Sequence, residues 1–113
     1  MSWISRLRTG LAGIDPETLN AYRSAIPSTI NVNVHQKADT FIATIVSVDN
    51  EKLPKEILLV TEAPSEQALV RKVNDLIFTY KNIPESYRPY YSQILRPEGA
   101  VSRTENLKLV KAA

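Results

Sequence analysis

The segment TFIATIVSV at residues 40–48 is predicted to form the centre of the fold. It is rich in β-branched residues at both alternating sets of positions, which predicts a central strand that is covered on both faces. The segment INVNV at residues 30–34 alternates apolar and polar side chains, which is typical of a strand with one buried face. A polar turn at 49–52 separates residues 40–48 from a third strand at 57–61. The short links between the three strands predict an antiparallel meander.

One long helix is predicted directly after the meander, over residues 65–81. Ser65 is a favourable N-cap, and an apolar stripe follows it at helical spacing. We expect this stripe to pack on one face of the sheet. The residues that we expect in this core are Ile45, Val46, Leu69, Val73 and Ile77.

The N-terminal residues predict a helical hairpin. An amphipathic helix over residues 2–12 precedes a second helix, which Asp15 caps and Pro16 opens. Residues 98–113 are polar and basic, and we expect a loose tail there. Deletion of residues 103–113 should then leave the melting temperature nearly unchanged. The chain is thus predicted to be one α+β domain, with helices in 1–28, a core of sheet and helix in 29–97, and a tail in 98–113.

The composition argues against an enzyme. The 113 residues are 43% hydrophobic and 23% charged, as in an ordinary globular domain. They include no cysteine and only three glycines, and no phosphate-binding loop or nucleophile elbow is present. The single histidine, His35, is expected to face solvent from a strand. We therefore predict no catalytic residues, no metal site and no cofactor.

The charge and hydropathy pattern restrict the partners. A net charge of +2 is small for a protein that binds nucleic acid mainly through phosphates. No apolar run approaches the roughly 18 residues that a membrane-spanning helix needs. We predict a cytoplasmic protein that does not bind membranes.

Tyrosines and arginines are concentrated between residues 80 and 96. Such side chains can pack on the domain, form a protein interface, or stack bases and neutralise phosphates, and the sequence leaves these three alternatives open. The candidate residues for partner binding are Tyr87, Arg88, Tyr90, Tyr91 and Arg96.

The predicted N-terminal helix pair is a second candidate site. Residues 13–23 are similar to the turn and recognition helix of a helix-turn-helix, although an ordinary helical hairpin explains them better. The residues that could contact nucleic acid there are Arg6, Arg8 and Arg23.

Three motifs between residues 30 and 81 suggest a family. They are FIATI at 41–45, LP at 53–54 and SEQAL at 65–69, with Tyr80 closing the helix. In this order they resemble the N-terminal domain of HicB-type antitoxins. The chain departs from that pattern at Lys55, where the family has glycine, and at Gln67, where it has glutamate. No DNA-binding domain is recognised after the helix.

The resemblance to HicB-type antitoxins implies a partial ribonuclease-H-like fold without nuclease residues, and a role in binding a partner protein. Our leading hypothesis is therefore a non-enzymatic protein-interaction module, such as an antitoxin-like regulator. It would act as a homodimer or in a complex with a small protein, for example through an edge strand at 30–34. The alternative is a small DNA- or RNA-binding regulator that uses the N-terminal helices or residues 80–96.

Overall fold

A computed structural model describes residues 15–98 and 106–112 of the chain. These residues form two α-helices, α1 (Pro16–Ala25) and α2 (Glu66–Tyr80), and a short 3₁₀ helix at Arg88–Tyr91. They also form six strands: β1 (Thr29–Lys37), β2 (Thr40–Val48), β3 (Glu51–Lys52), β4 (Val60–Ala63), β5 (Leu95–Pro97) and β6 (Asn106–Lys111).

All six strands belong to one antiparallel sheet. Its order is β3-β2-β1-β6-β5, and β4 pairs with β2 further along the edge that β3 also occupies. The longest ladder joins β1 to β2, from the pair Lys37 and Thr40 at the turn to the pair Ile30 and Val48. On its other side β1 pairs with β6 over residues 29–33.

The predicted fold class is therefore wrong, although the α+β character is confirmed. The described residues contain six strands instead of three, because β5 and β6 extend the sheet on one side and the predicted turn at 49–52 contributes the short strand β3 on the other. α1 is the second helix of the predicted hairpin, and residues 2–12 lie outside the described residues. Over residues 15–98 and 106–112, two α-helices accompany a six-stranded sheet in place of the predicted three-stranded meander.

The prediction of a loose C-terminal tail is also wrong for residues 106–111. Leu107 and Leu109 alternate with polar residues and point into the core, where Leu109 is fully buried. Because β6 pairs with residues 29–33, this edge of the predicted meander is occupied by the chain itself. The expected pairing of strand 30–34 with another chain is thus excluded at those residues.

Local sequence signals place both helices close to their predicted bounds. The Asp15 carboxylate accepts hydrogen bonds from the backbone N–H and the hydroxyl of Thr18, and Pro16 opens α1. The Ser65 hydroxyl accepts a hydrogen bond from the Ala68 N–H at 3.2 Å and caps α2. These contacts confirm both predicted caps.

The core lies between α2 and one face of the sheet. The structure confirms four of the five residues expected there, since Ile45, Leu69, Val73 and Ile77 are buried. The fifth, Val46, is 44% exposed, so the prediction is wrong for this residue. Val46 follows the buried Ile45 and therefore lies on the opposite face of the sheet, which no helix of the described residues covers. The prediction that strand 40–48 is covered on both faces is thus wrong at this residue.

Asn74 closes the β5 edge of the sheet. Its side-chain oxygen accepts the Leu95 N–H and its amide nitrogen donates to the Leu95 carbonyl, both at 3.0 Å. The same nitrogen donates to the Val70 carbonyl at 2.8 Å. Asn74 is 1% exposed, so this amide replaces a neighbouring strand inside the protein. It satisfies backbone groups that would otherwise be buried without partners.

Leu109→Ala should destabilise the protein by about 2–5 kcal/mol, because it leaves a cavity beside β1. Lys108→Ala on the same strand is the control. Its side chain is 47% exposed, in an ion pair with Glu98, and such pairs contribute about 0–1 kcal/mol. Urea unfolding measures both variants. Equal, small losses would mean that β6 is not part of the cooperative fold.

Asn74→Ala should lower the free energy of unfolding by about 2–4 kcal/mol, because the buried N–H and carbonyl of Leu95 lose their hydrogen-bond partners. The amide proton of Leu95 should then exchange faster with solvent, as hydrogen-exchange NMR can measure. Asn33→Ala, at an exposed position of β1, should change stability by less than about 0.5 kcal/mol. Unchanged protection of Leu95 would show that Asn74 does not close this edge.

Candidate binding surface on the open sheet face

The two faces of the sheet have different surroundings. α2 packs on the face that carries Ile30 and Val32, and α1 is joined to the same layer through Tyr91, which contacts Phe78 of α2. No helix of the described residues lies on the opposite face. We call this opposite side the open face. The residues that form it are Thr29, Asn31, Asn33, His35, Lys37, Thr40, Ile42, Thr44, Val46, Ser47, Lys52, Val60, Glu62, Arg96, Asn106, Lys108 and Val110.

A row of four polar residues crosses the open face from strand to strand. Lys52 pairs with Ser47, Ser47 with Asn31, and Asn31 with Lys108, so the row spans β3, β2, β1 and β6. We call these four residues the polar row. With neighbouring strands roughly 4.8 Å apart, its two lysines lie about 14 Å apart at their Cα atoms.

The centre of the polar row is ordered by a hydrogen bond. The Asn31 side-chain nitrogen donates to the Ser47 hydroxyl at 2.8 Å, and Ser47 is only 7% exposed. Both lysines at the ends are exposed. Lys108 forms a 3.1 Å ion pair with Glu98, which is 56% exposed. The row therefore has a hydrogen-bonded polar centre between two exposed cationic side chains.

A shallow groove of about 440 Å³ runs over the polar row. All four residues of the row line it, and so do Val46 and Asn50 at one side and Asn106 at the other. Side-chain amides, a hydroxyl and two ammonium groups thus converge on one surface depression. Such a lining can donate hydrogen bonds to carbonyl, carboxylate or phosphate oxygens.

An apolar strip lies beside this groove, at the β4 edge. Its residues Val46, Leu58 and Val60 are 44%, 77% and 42% exposed. They are brought together by pairing, since Val60 opposes Thr44 and the Ile45 N–H donates to the Leu59 carbonyl at 2.9 Å. Continuing this register sets Leu58 beside Val46. The open face thus combines a cationic polar row with an exposed apolar strip.

The predicted Tyr/Arg site is used mainly for packing. Tyr87 packs edge to face on Tyr22, with the ring centroids 4.9 Å apart. Tyr91 is 3% exposed, and its hydroxyl donates to the Leu19 carbonyl. These contacts attach α1 to the helical layer. Two tyrosines of the predicted site, Tyr87 and Tyr91, thus make packing contacts inside the domain.

The remaining residues of that predicted site do not share one surface. The Arg88 Nε donates to the Ile83 carbonyl at 2.9 Å, and the Arg96 Nε donates to the Gln93 carbonyl at 3.2 Å. Tyr90 is 52% exposed on the 3₁₀ helix, in the helical layer, whereas Arg96 extends from β5. The structure does not bring the five candidates together.

Arg23 is the one described residue of the predicted nucleic-acid site, since Arg6 and Arg8 lie outside the described residues. Its Nη2 donates to the Ala112 carbonyl at 2.9 Å. In return the Lys111 ammonium donates to the carbonyls of Ile26 and Arg23, at 2.8 and 3.3 Å. Arg23 thereby ties the end of α1 to the end of β6.

The described residues contain neither a cluster of metal-ligating side chains nor a helix that could span a membrane. No group of three or more His, Cys, Asp or Glu side chains that could hold a metal ion occurs among residues 15–98 and 106–112. His35 is exposed on the open face, near the turn between β1 and β2. Over the same residues, no helix is long and apolar enough to cross a membrane.

Sequence reasoning missed the polar row. The alternation of Asn31 and Asn33 with apolar residues indicated which strand face is polar. It did not indicate which residues lie opposite Asn31, because the sequence places Lys108 in the predicted tail and the bulge at Val46 shifts the register of Ser47.

Comparison with protein-family models, with curated proteins and with solved structures finds no match to this chain.

Because of Tyr91, the stability of the protein should decrease as the pH rises in the alkaline range. Burial raises the pKa of its phenol, and the neighbouring Tyr87 raises that pKa further. The unfolded chain then releases the proton first as the pH rises. The contribution of Tyr91 to stability is therefore complete below the ordinary tyrosine pKa of about 10 and is lost as the pH rises through the folded-state pKa.

Tyr91→Phe tests this dependence. At neutral pH it removes the hydrogen bond to the Leu19 carbonyl and should cost about 0.5–1.5 kcal/mol. Between about pH 9 and pH 11 its stability should fall less than that of the unaltered protein. Urea unfolding across this range measures both effects, with Tyr90→Phe, at an exposed position, as the control. Parallel alkaline losses in all three proteins would contradict the assignment to Tyr91.

Proposed function

We propose that this protein is a non-enzymatic interaction module that binds a partner protein through its open face. The observation that carries the proposal is the apolar strip of Val46, Leu58 and Val60 beside a hydrogen-bonded polar groove. Single exposed apolar residues are common, but three adjacent ones next to polar groups favour a protein contact.

The alternative partner, nucleic acid, has less support. Sequence-tolerant binding of single strands combines cations with aromatic rings that stack on bases. Among the described residues, the open face carries no aromatic ring. Tyr22, Tyr87 and Tyr91 pack in the helical layer, and Phe41 packs against the core. The apolar side chains of the strip also cannot form hydrogen bonds or ion pairs with phosphate groups.

An antitoxin-like regulator is the particular form of this function that the HicB-like motifs suggest. In that form the partner is a small protein whose activity is blocked when the open face covers it. The motif-bearing residues 41–45 and 65–69 lie in β2 and at the start of α2. β2 contributes Val46 and Ser47 to the open face, so the HicB-like segment and the proposed interface share one strand.

Site-specific cross-linking tests the proposal. A photoreactive amino acid at Asn33, exposed at the centre of the open face, should capture a protein partner in cells that produce the chain. The same group at Gln67, exposed on α2, should not capture that partner. Capture from Gln67 alone would contradict an interface on the open face. If the cross-linked product is a dimer of this chain, the partner bound by the open face is a second copy of the chain.

Binding of the purified partner then gives a quantitative check. Leu58→Asp inserts a charge into the apolar strip and should weaken binding at least tenfold, or about 1.4 kcal/mol, by isothermal titration calorimetry. Gln67→Asp on α2 is the control and should leave the affinity unchanged. Because Leu58 is 77% exposed, its replacement should not impair folding. Equal affinities for both variants would argue against the strip.

A further inference from the structure

The geometry points to an acidic, extended segment of the partner protein as the ligand of the polar row. In this arrangement two carboxylates reach the ammonium groups of Lys52 and Lys108. The peptide groups between them meet Asn31 and Ser47. This inference rests on the proposed function and specifies the chemistry of the partner.

Charge is the first argument for an acidic ligand. The polar row has a lysine at each end and no acidic residue between them. Glu98 already pairs with Lys108, which demonstrates that a carboxylate fits at this end of the row. That pair is exposed on both sides, and exposed pairs contribute little, so a carboxylate of the partner can share or replace it. The Lys52 end is on β3 and has the same chemistry.

Hydrogen bonding is the second argument. The Asn31 amide nitrogen is held by its bond to the Ser47 hydroxyl, which fixes the orientation of both side chains. The Asn31 side-chain oxygen can accept a hydrogen bond from a peptide N–H, and the Ser47 hydroxyl proton can be donated to a peptide carbonyl. The floor of the row therefore offers one donor and one acceptor to a main chain that crosses it.

Distance is the third argument, and it fixes the spacing of the acidic residues. The Cα atoms of Lys52 and Lys108 lie about 14 Å apart across three steps between strands. An extended chain rises roughly 3.3 Å per residue, so about four residues cover this distance. Residues four apart in an extended chain also point to the same side. The segment should therefore carry acidic side chains at positions i and i+4.

The experiment uses two synthetic peptides and the whole chain. Each peptide has nine residues of serine, threonine and valine, with either two glutamates or two glutamines four positions apart. Titration is followed by NMR of the backbone amides at low salt. The glutamate peptide should shift the amides of Ser47, Lys52 and Lys108 in a saturable way. The glutamine peptide should bind about tenfold more weakly or worse.

Two double variants of equal charge change locate the site. Lys52→Gln with Lys108→Gln should weaken binding of the glutamate peptide about tenfold or more. Arg71→Gln with Lys72→Gln, at exposed positions of α2, should leave it unchanged. All four positions are exposed, so both proteins should fold, and amide spectra of the free variants check this.

Several results would overturn the inference. They are equal binding of the two peptides, unchanged binding by the Lys52 and Lys108 variant, and amide shifts confined to α2. A mixed-sequence oligonucleotide that shifts the row more strongly than the glutamate peptide would assign the row to nucleic acid instead. A captured partner that binds the Lys52 and Lys108 variant normally would overturn this inference alone. Failure of Asn33 to capture any protein would overturn the proposed function.

Discussion

The structure depends on the pairing of β1 with strands on both of its sides. β2 follows it directly in sequence, but β6 comes from the other end of the described chain. Ile30 of β1 and its β6 partner Leu109 are both fully buried, so the core is completed only when these distant segments meet. Nearby, the part-buried Arg23 and Lys111 join the end of α1 to the end of β6 by donating to backbone carbonyls of the other segment. The C-terminal strand is thus a structural element in the middle of the sheet.

The same backbone contacts favour a face of the sheet over two of its edges for the proposed interaction. β6 occupies the side of β1 at residues 29–33, and Asn74 satisfies the outer backbone groups of Leu95 in β5. Neither the β6 side of β1 nor the outer side of β5 at Leu95 can accept an added strand without breaking internal hydrogen bonds. α2 covers one face, and no described helix covers the other. A partner that docks on the open face therefore leaves the ladder and the core intact.

The bulge at Val46 connects the fold to the candidate site. Ile45 points into the core opposite Val32, and Val46 follows it onto the open face, as alternation requires. Without the extra residue, Ser47 would return to the core side. The bulge instead pairs Ser47 with Asn31, so two consecutive side chains lie on the open face. Val46 then joins the apolar strip while Ser47 joins the polar row, and both lie at one groove.

Local sequence patterns were sufficient to predict several individual elements of this protein. Asp15 and Ser65 cap their helices, and alternation identified the buried side of β1, because these features depend on neighbours within a few residues. Three features depend on contacts between distant segments. They are the strand at residues 106–111, the exposure of Val46, and the row formed by Lys52, Ser47, Asn31 and Lys108. The HicB-like resemblance stays a prediction. A six-residue alternating segment has the same local pattern in a loose tail as in a sheet, and its register is set only by burial against β1, a segment far away along the chain.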